Sequence, residues 1–158
     1  MEKYKVGLGY DLHRFTDKKH FLLLGGFKVD CGFGLEAVSD GDVVLHAVSD
    51  AICGGAALGD IGDYFSPSDE KNQNIESKKI VKTILAKIKK TYRIVNIDIT
   101  LVAEKPKLIS YKKDIVESLK DIFEIPDINL KIKSKEKTEA LGGIDALSCL
   151  AVVLLKGI

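Results

Sequence analysis

Ser39-Asp40-Gly41-Asp42-Val43-Val44-Leu45-His46 opens a stretch that runs on to Gly59-Asp60-Ile61-Gly62, and its reading decides the rest of the chain. Acidic and small residues come first, an apolar segment with one imidazole follows, and glycines close it. That order predicts a helix over residues 42–57 starting in a cluster of carboxylates, where unpaired backbone N–H groups and the helix dipole favour negative charge. Ser39, Asp40 and Asp42 are also favoured helix caps, and Gly59 and Gly62 suit a helix end, so capping alone accounts for them too. Gly54 and Gly55 weaken the helix by about 1 kcal/mol each relative to alanine, a cost that close packing against a neighbour would explain. His46 falls in the first turns. Upstream, Gly9-Tyr10-Asp11-Leu12-His13 follows an apolar run, and on a strand Asp11 and His13 project to the same side. Two imidazoles and one carboxylate can therefore converge.

At 158 residues and 46% hydrophobic content, the chain suits one globular domain, residues 1–158, with a core of its own. Twenty-four basic and 23 acidic residues leave a formal charge of +1. No overall field marks a nucleic-acid or membrane-surface binder. Arg14 and Arg93 are the only arginines, so bidentate guanidinium recognition has little to draw on. Cys31, Cys53 and Cys149 are odd in number, widely spaced and set among apolar or glycine residues, which predicts reduced thiols. Met1-Glu2-Lys3-Tyr4-Lys5 leads into a strand without a signal-peptide pattern, and the apolar run 147–155 is too short to span a bilayer. A cytoplasmic protein is expected.

Around the helix, Tyr4, Val6 and Leu8 alternate as a strand over residues 3–10. Phe21-Leu22-Leu23-Leu24-Gly25-Gly26-Phe27-Lys28-Val29 reads as a small β-hairpin about a Gly-Gly turn. Residues 64–74 hold Pro67 and no periodicity, predicting a mobile loop beside the helix end. Ile80, Val81, Ile84, Leu85 and Ile88 mark an amphipathic helix over 75–92, its lysines on a solvated face. Val95, Ile97, Ile99 and Leu101 alternate as a strand that Pro106 stops. Ile115, Val116, Leu119, Ile122 and Phe123 form a third helix ending before Pro126. Ile128, Leu130 and Ile132 make another strand, and 147–155, apolar on both faces, belongs in the sheet interior. The expected fold is α+β, a mixed β-sheet with helices packed on one face plus the hairpin.

Asp11, His13 and His46 are ligand types that zinc accepts, three of them leaving a fourth position open for Lewis-acid work on a phosphoryl oxygen. A D-x-H pair and a lone helix histidine also arise by chance. Lys105, Pro106 and Lys107 form a turn that can offer backbone groups to a base and an ammonium to phosphate, or simply be exposed. Glu136, among Lys133, Lys135 and Lys137, can hold a hard cation or be a surface charge.

The combination narrows these readings. Gly9-Tyr10-Asp11-Leu12-His13, Ser39-Asp40-Gly41-Asp42-Val43-Val44-Leu45-His46-Ala47, Asp50-Ala51, Gly55-Ala56-Ala57-Leu58-Gly59-Asp60-Ile61-Gly62 and the Lys-Pro-Lys turn together closely resemble the 2-C-methyl-D-erythritol 2,4-cyclodiphosphate synthase family. The resemblance runs from the first strand to the last. It implies conversion of 4-diphosphocytidyl-2-C-methyl-D-erythritol 2-phosphate to the cyclic diphosphate and CMP, in the non-mevalonate isoprenoid route. It further implies that Asp11, His13 and His46 hold zinc near the β-phosphate and that Glu136 helps hold magnesium or manganese. By the same resemblance Asp60, Ile61, Gly62, Phe65 and Asp69 bind the erythritol part, Ser39 and Lys133 lie at the phosphates, and Ser134, Glu136 and Asp60 serve catalysis. Ala103, Lys105, Pro106, Lys107 and Leu108 match the cytidine loop. Family members are homotrimers with active sites between subunits.

The chain also departs from the family pattern. Val38 stands where histidine is usual, and Lys133, Ser134 and Lys135 replace three threonines, Ser134 keeping one hydroxyl. Glu139-Ala140 and Gly143 replace glycine-phenylalanine and arginine, and Phe65-Ser66-Pro67-Ser68-Asp69 varies the erythritol-binding motif. Lys133 or Lys135 is expected to supply the charge that Val38 lacks, since an ammonium acts as a point charge on phosphate. The alternatives are a zinc phosphohydrolase and a catalytically impaired trimeric nucleotide- or isoprenoid-binding module.

Overall fold

The computed structural model describes residues 3–158, so the reading of Met1 and Glu2 lies outside the described residues. Its elements are β1 Tyr4–Thr16, β2 Phe21–Leu24, β3 Phe27–Asp30, β4 Gly34–Leu35, α1 Val43–Ala56, α2 Ser77–Ile88, β5 Tyr92–Val102, α3 Lys112–Phe123, β6 Ile128–Lys133 and β7 Ala146–Gly157, with short 3₁₀ turns between them. Five strands form a mixed sheet in the order β4-β1-β7-β5-β6, with only β5 and β6 parallel. The hairpin of β2 and β3 stands apart.

Helix α1 begins where the acidic cluster places it. Asp42 is the N-cap, its Oδ1 accepting from Val44 N at 3.2 Å and Leu45 N at 3.0 Å. The same carboxylate accepts from Gly25 N at 2.9 Å and Gly26 N at 2.6 Å, so it also ties the hairpin turn to the helix start. The far end differs from expectation. Ala57, not a glycine, takes the left-handed position at φ 58°, and Leu58 N closes the last turn on Cys53 O at 2.9 Å.

Two glycines decide how α1 meets the sheet. A Cβ at Gly7 would lie 1.8 Å from Ala51 O, and one at Gly9 would lie 1.8 Å from Ala47 O. The helix backbone therefore rests directly on β1, which only glycine permits. Gly55 has the close neighbours expected of it, with a Cβ position 3.1 Å from Leu155 Cδ1. Gly54 does not, its nearest neighbour being Leu8 O at 3.9 Å.

This contact turns the apolar face of β1 outward. Gly7, Gly9, Asp11 and His13 face the helices, whereas Val6 and Leu8 are each 65% exposed and Tyr4 and Tyr10 flank them. The register continues this outer patch onto β7, with Val6 beside Leu154 and Leu8 beside Val152. Polar Asn96, Asp98 and Thr100 border it on β5. Strand β7 does lie in the sheet interior, between β1 and β5.

On the inner side, Ile80, Ile84, Ile115, Leu119, Leu147 and Val153 join one buried cluster with α1; each such side chain contributes about 1.5–3 kcal/mol by leaving water. Two expectations need correction. Strand β1 continues to Thr16, so Asp11 and His13 sit within it; α2 spans only Ser77–Ile88, because Tyr92 already belongs to β5. Residues 64–74 form the expected connecting loop, with one 3₁₀ turn inside it and another just before it. Asp60 and Asp69 each cap a 3₁₀ turn, Ile61–Asp63 and Glu70–Asn72, and Tyr64 Oη donates to Leu58 O at 2.7 Å while Asn74 N donates to Val38 O at 2.7 Å. No described helix is long and apolar enough to cross a membrane.

Candidate metal centre and substrate cleft

Period-two geometry puts Asp11 and His13 on the inner face of β1, and the start of α1 brings His46 against them. Asp11 Oδ2 lies 3.0 Å from His13 Nε2 and 3.0 Å from His46 Nδ1. The three ligand atoms fall within 4.8 Å of one another. His13 Nε2 is buried, and its contact with Asp11 Oδ2 lacks the geometry of a hydrogen bond, although burying a polar nitrogen unsatisfied is costly. A cation at the meeting point would satisfy it, and the donor set of one carboxylate and two imidazoles suits zinc. Burial disfavours the Asp11 charge, but His13 and His46 outweigh it and hold the carboxyl well below the usual range. Burial likewise opposes a charged His46, and Asp11 overcomes it to raise the imidazole. Both shifts describe a carboxylate and an imidazole that favour each other's charged forms.

The cluster opens into a cavity of about 200 Å³ whose walls include Val38, Ser39, Ile61, Gly62 and Phe65. The turn carrying Ile61 and Gly62 is pinned to α1, since Ile61 N donates to Asp50 Oδ1 at 2.8 Å. Ser39, Ile61, Gly62 and Phe65, expected at the substrate, thus share the cleft with the metal ligands. Asp60 and Asp69 do not line it, their carboxylates being engaged in capping. A larger open groove of about 620 Å³ lies at Lys3, Lys90 and Lys156, but it lacks any acid–imidazole cluster; ligand chemistry, not size, marks the site.

The remaining expected residues form a second cluster at the ends of β5 and β6. Ala103 N donates to Lys133 O at 3.0 Å and Lys135 N to Glu104 Oε2 at 3.0 Å, joining the two segments. The Lys105–Pro106 peptide is cis, and Lys105 Nζ lies 5.4 Å from the centre of the Phe15 ring. Ser134 Oγ donates to Glu136 Oε1. Residues 103–108 and 133–136 line no part of the Asp11 cavity, and Glu136 is outside the Asp11–His13–His46 cluster.

Two residues here correct the sequence reading. Leu108 is 2% exposed and belongs to the core, so its side chain cannot reach a base. Lys135 is 4% exposed, and its Nζ donates to Leu141 O, Gly143 O and Ala146 O at 2.7, 2.6 and 2.7 Å. Its ammonium is bound within its own chain and is not free for phosphate, which leaves exposed Lys133 as the only candidate of the pair. Ser77 and Ile75, beside the site, were given no role from sequence, because they lie on or just before α2 and no local pattern ties them to His46, and Asp50 and Ile80 were quoted for the α1 motif and the α2 stripe without a place at the site.

The site defines the class first: an α+β protein with a candidate divalent-metal centre opening on a small, largely apolar cleft. Comparison with known proteins then sets the family. The model of the YgbB family matches residues 4–156, and the chain belongs to that family. The Clostridium acetobutylicum protein named 2-C-methyl-D-erythritol 2,4-cyclodiphosphate synthase is 41% identical over 154 residues, covering 96% of this chain and 99% of that one. Among solved structures, the CDP complex of IspF from Plasmodium falciparum superposes with a TM-score of 0.83 at 30% identity, covering 99% of this chain and 98% of that one. The bifunctional IspDF of Campylobacter jejuni gives a TM-score of 0.93 at 33% identity over all of this chain, which spans 43% of that longer protein. The chain is an enzyme, a phosphorus–oxygen lyase.

Proposed function

We propose that this chain converts 4-diphosphocytidyl-2-C-methyl-D-erythritol 2-phosphate to 2-C-methyl-D-erythritol 2,4-cyclodiphosphate and CMP, in isoprenoid biosynthesis. Family membership supports the reaction, and the single structural observation that carries it is the convergence of Asp11, His13 and His46 at 3.0 Å. These three would hold zinc, which supplies Lewis-acid stabilisation of charge on the β-phosphate. An oxygen of the 2-phosphate forms a bond to the β-phosphorus as the bond to the CMP oxygen breaks, and CMP carries away the electron pair. No covalent enzyme intermediate is needed; the residues position groups and balance charge.

Ile61, Gly62, Phe65 and the neighbouring apolar wall hold the branched erythritol carbons, with Ser39 at the polar edge, while Asp60 and Asp69 act indirectly by capping the turns beside this wall. Ala103, Lys105, Pro106 and Lys107 hold cytidine, with Leu108 anchoring the loop from the core. Ser134 presents a hydroxyl, Glu136 a carboxylate for magnesium or manganese, and Lys133 an ammonium toward the phosphates. The two clusters are separate in one chain, and in this reading they meet across the subunits of a homotrimer. Exposed Val6, Leu8 and Val152 on the outer sheet face support that assembly, because an apolar patch of this kind marks an interaction surface. A cytoplasmic setting agrees with free thiols at Cys31, Cys53 and Cys149.

Incubating the pure protein, zinc and magnesium with the diphosphocytidyl substrate tests the reading. CMP and cyclic diphosphate should appear together in equal amounts. CMP without the cyclic product would make it a phosphohydrolase, and CDP binding without turnover a binding module.

A further inference from the structure

The structure assigns Ser77 and Asp40 a role as positioning residues that fix which nitrogen of His46 faces the metal; this rests on the reading of Asp11, His13 and His46 as metal ligands. His46 Nε2 lies 2.9 Å from Ser77 Oγ, at the first residue of α2. Ser77 Oγ in turn donates to Asp40 Oδ1, and Ser77 N donates to Asp40 Oδ2 at 2.9 Å. Ser77 is fully buried, at 0% exposure.

The donor count settles the direction. A hydroxyl has one proton, and the carboxylate of Asp40, which also accepts from Asp42 N at 3.3 Å, takes the one that Ser77 owns. Ser77 Oγ can then only accept from His46, so Nε2 must carry the ring proton. Ser39 Oγ, 3.2 Å from the same Nε2, already accepts from Gly41 N at 3.1 Å and can share that proton as a second, longer acceptor. With Nε2 protonated, Nδ1 of the neutral ring presents a bare lone pair to Asp11 Oδ2 at 3.0 Å. Two acceptors facing each other at that separation repel, and a cation beside them removes the conflict. The serine and aspartate thus poise the ring as a ligand, as partners on the far nitrogen of metal-bound histidines do, where their loss weakens metal binding about 10–100-fold. They reach His46 from across the fold, Asp40 from the segment before α1 and Ser77 from 37 positions further on.

The test uses zinc alone, titrated against a chromophoric chelator, on the wild-type protein, Ser77→Ala and Ser49→Ala. Ser49 is a buried α1 serine whose hydroxyl has no partner, so Ser49→Ala controls for loss of a buried hydroxyl and should leave affinity within twofold. Ser77→Ala should weaken zinc binding about 10–100-fold. In zinc-loaded wild-type protein with ¹⁵N-histidine, long-range ¹H–¹⁵N spectra should show His46 protonated at Nε2 and metal-bound at Nδ1. This measurement needs no variant to fold. Zinc affinity in Ser77→Ala within twofold of wild type, or a spectrum with the proton on Nδ1, overturns the positioning role alone. Failure of the wild-type protein to bind zinc removes the metal reading and this role with it.

Discussion

Lys135→Met should destabilise the protein by about 3 kcal/mol, without any contribution from a bound phosphate. The lysine ammonium donates to three backbone carbonyls at 2.6–2.7 Å, those of Leu141, Gly143 and Ala146, and a hydrogen bond from a charged group contributes about 1.5–3 kcal/mol. Burial opposes the charge and pushes the ammonium's pKa down, so part of that gain is offset by desolvation and methionine recovers it. Methionine fills similar volume but leaves three carbonyls without a donor, at about 1–3 kcal/mol for each that water cannot reach. Melting of metal-free protein followed by circular dichroism, at one fixed concentration, should show a fall of roughly 6–12 °C for a chain of this size. Lys133→Met is the control, since Lys133 is exposed and surface changes stay within about 0.5 kcal/mol. A loss below about 1 kcal/mol for Lys135→Met would show that the carbonyl cage does not hold the 135–146 segment, and the reasoning would fail.

Three further outcomes follow from the same geometry. Gly9→Ala should cost more than about 3 kcal/mol or abolish folding, because its Cβ would lie 1.8 Å from the Ala47 carbonyl oxygen; soluble yield and urea midpoint check it, and a near-neutral effect would mean that α1 does not rest on β1. Leu8→Asp should convert an oligomer to monomer in sedimentation while leaving the far-ultraviolet spectrum intact, and an unchanged mass would remove the outer sheet face as the interface. In metal-free protein, Asp11, with its lowered pKa, adds stability that is lost as pH falls through its folded value. His46, with a raised pKa, adds stability that is complete below about pH 6.5 and lost as pH rises through its folded value. Zinc competes with the His46 proton, so the melting-temperature gain from zinc over chelator should grow between pH 6 and pH 8.5; an equal gain at both ends would contradict this.

Much of the site was legible because its signals are local. The Asp42 cap marks the start of α1 within a few residues, four residues further on comes His46, and a strand's period of two aligns Asp11 with His13. The hairpin, β7 in the sheet interior and the apolar stripes of α2 and α3 are readable for the same reason: each depends on spacing along one element. The 3₁₀ turns at Ile61–Asp63 and Glu70–Asn72 were missed because Asp60 and Asp69 cap segments too short to show a period.

The amino-acid order alone therefore determined where the main strands and helices lie, though not their exact ends, and which three side chains could share a cation, since both follow from backbone geometry over a few positions. Only the tertiary structure decided which way β1 faces. Alternation fixes that Val6 and Leu8 share a side but not which side is covered, and the close approach of α1 to Gly7 and Gly9 turns them outward. It likewise decided that Lys135 binds carbonyls of its own chain and that Ser77 and Asp40 stand behind His46, because a hydrogen-bond partner many residues away leaves no mark on local spacing.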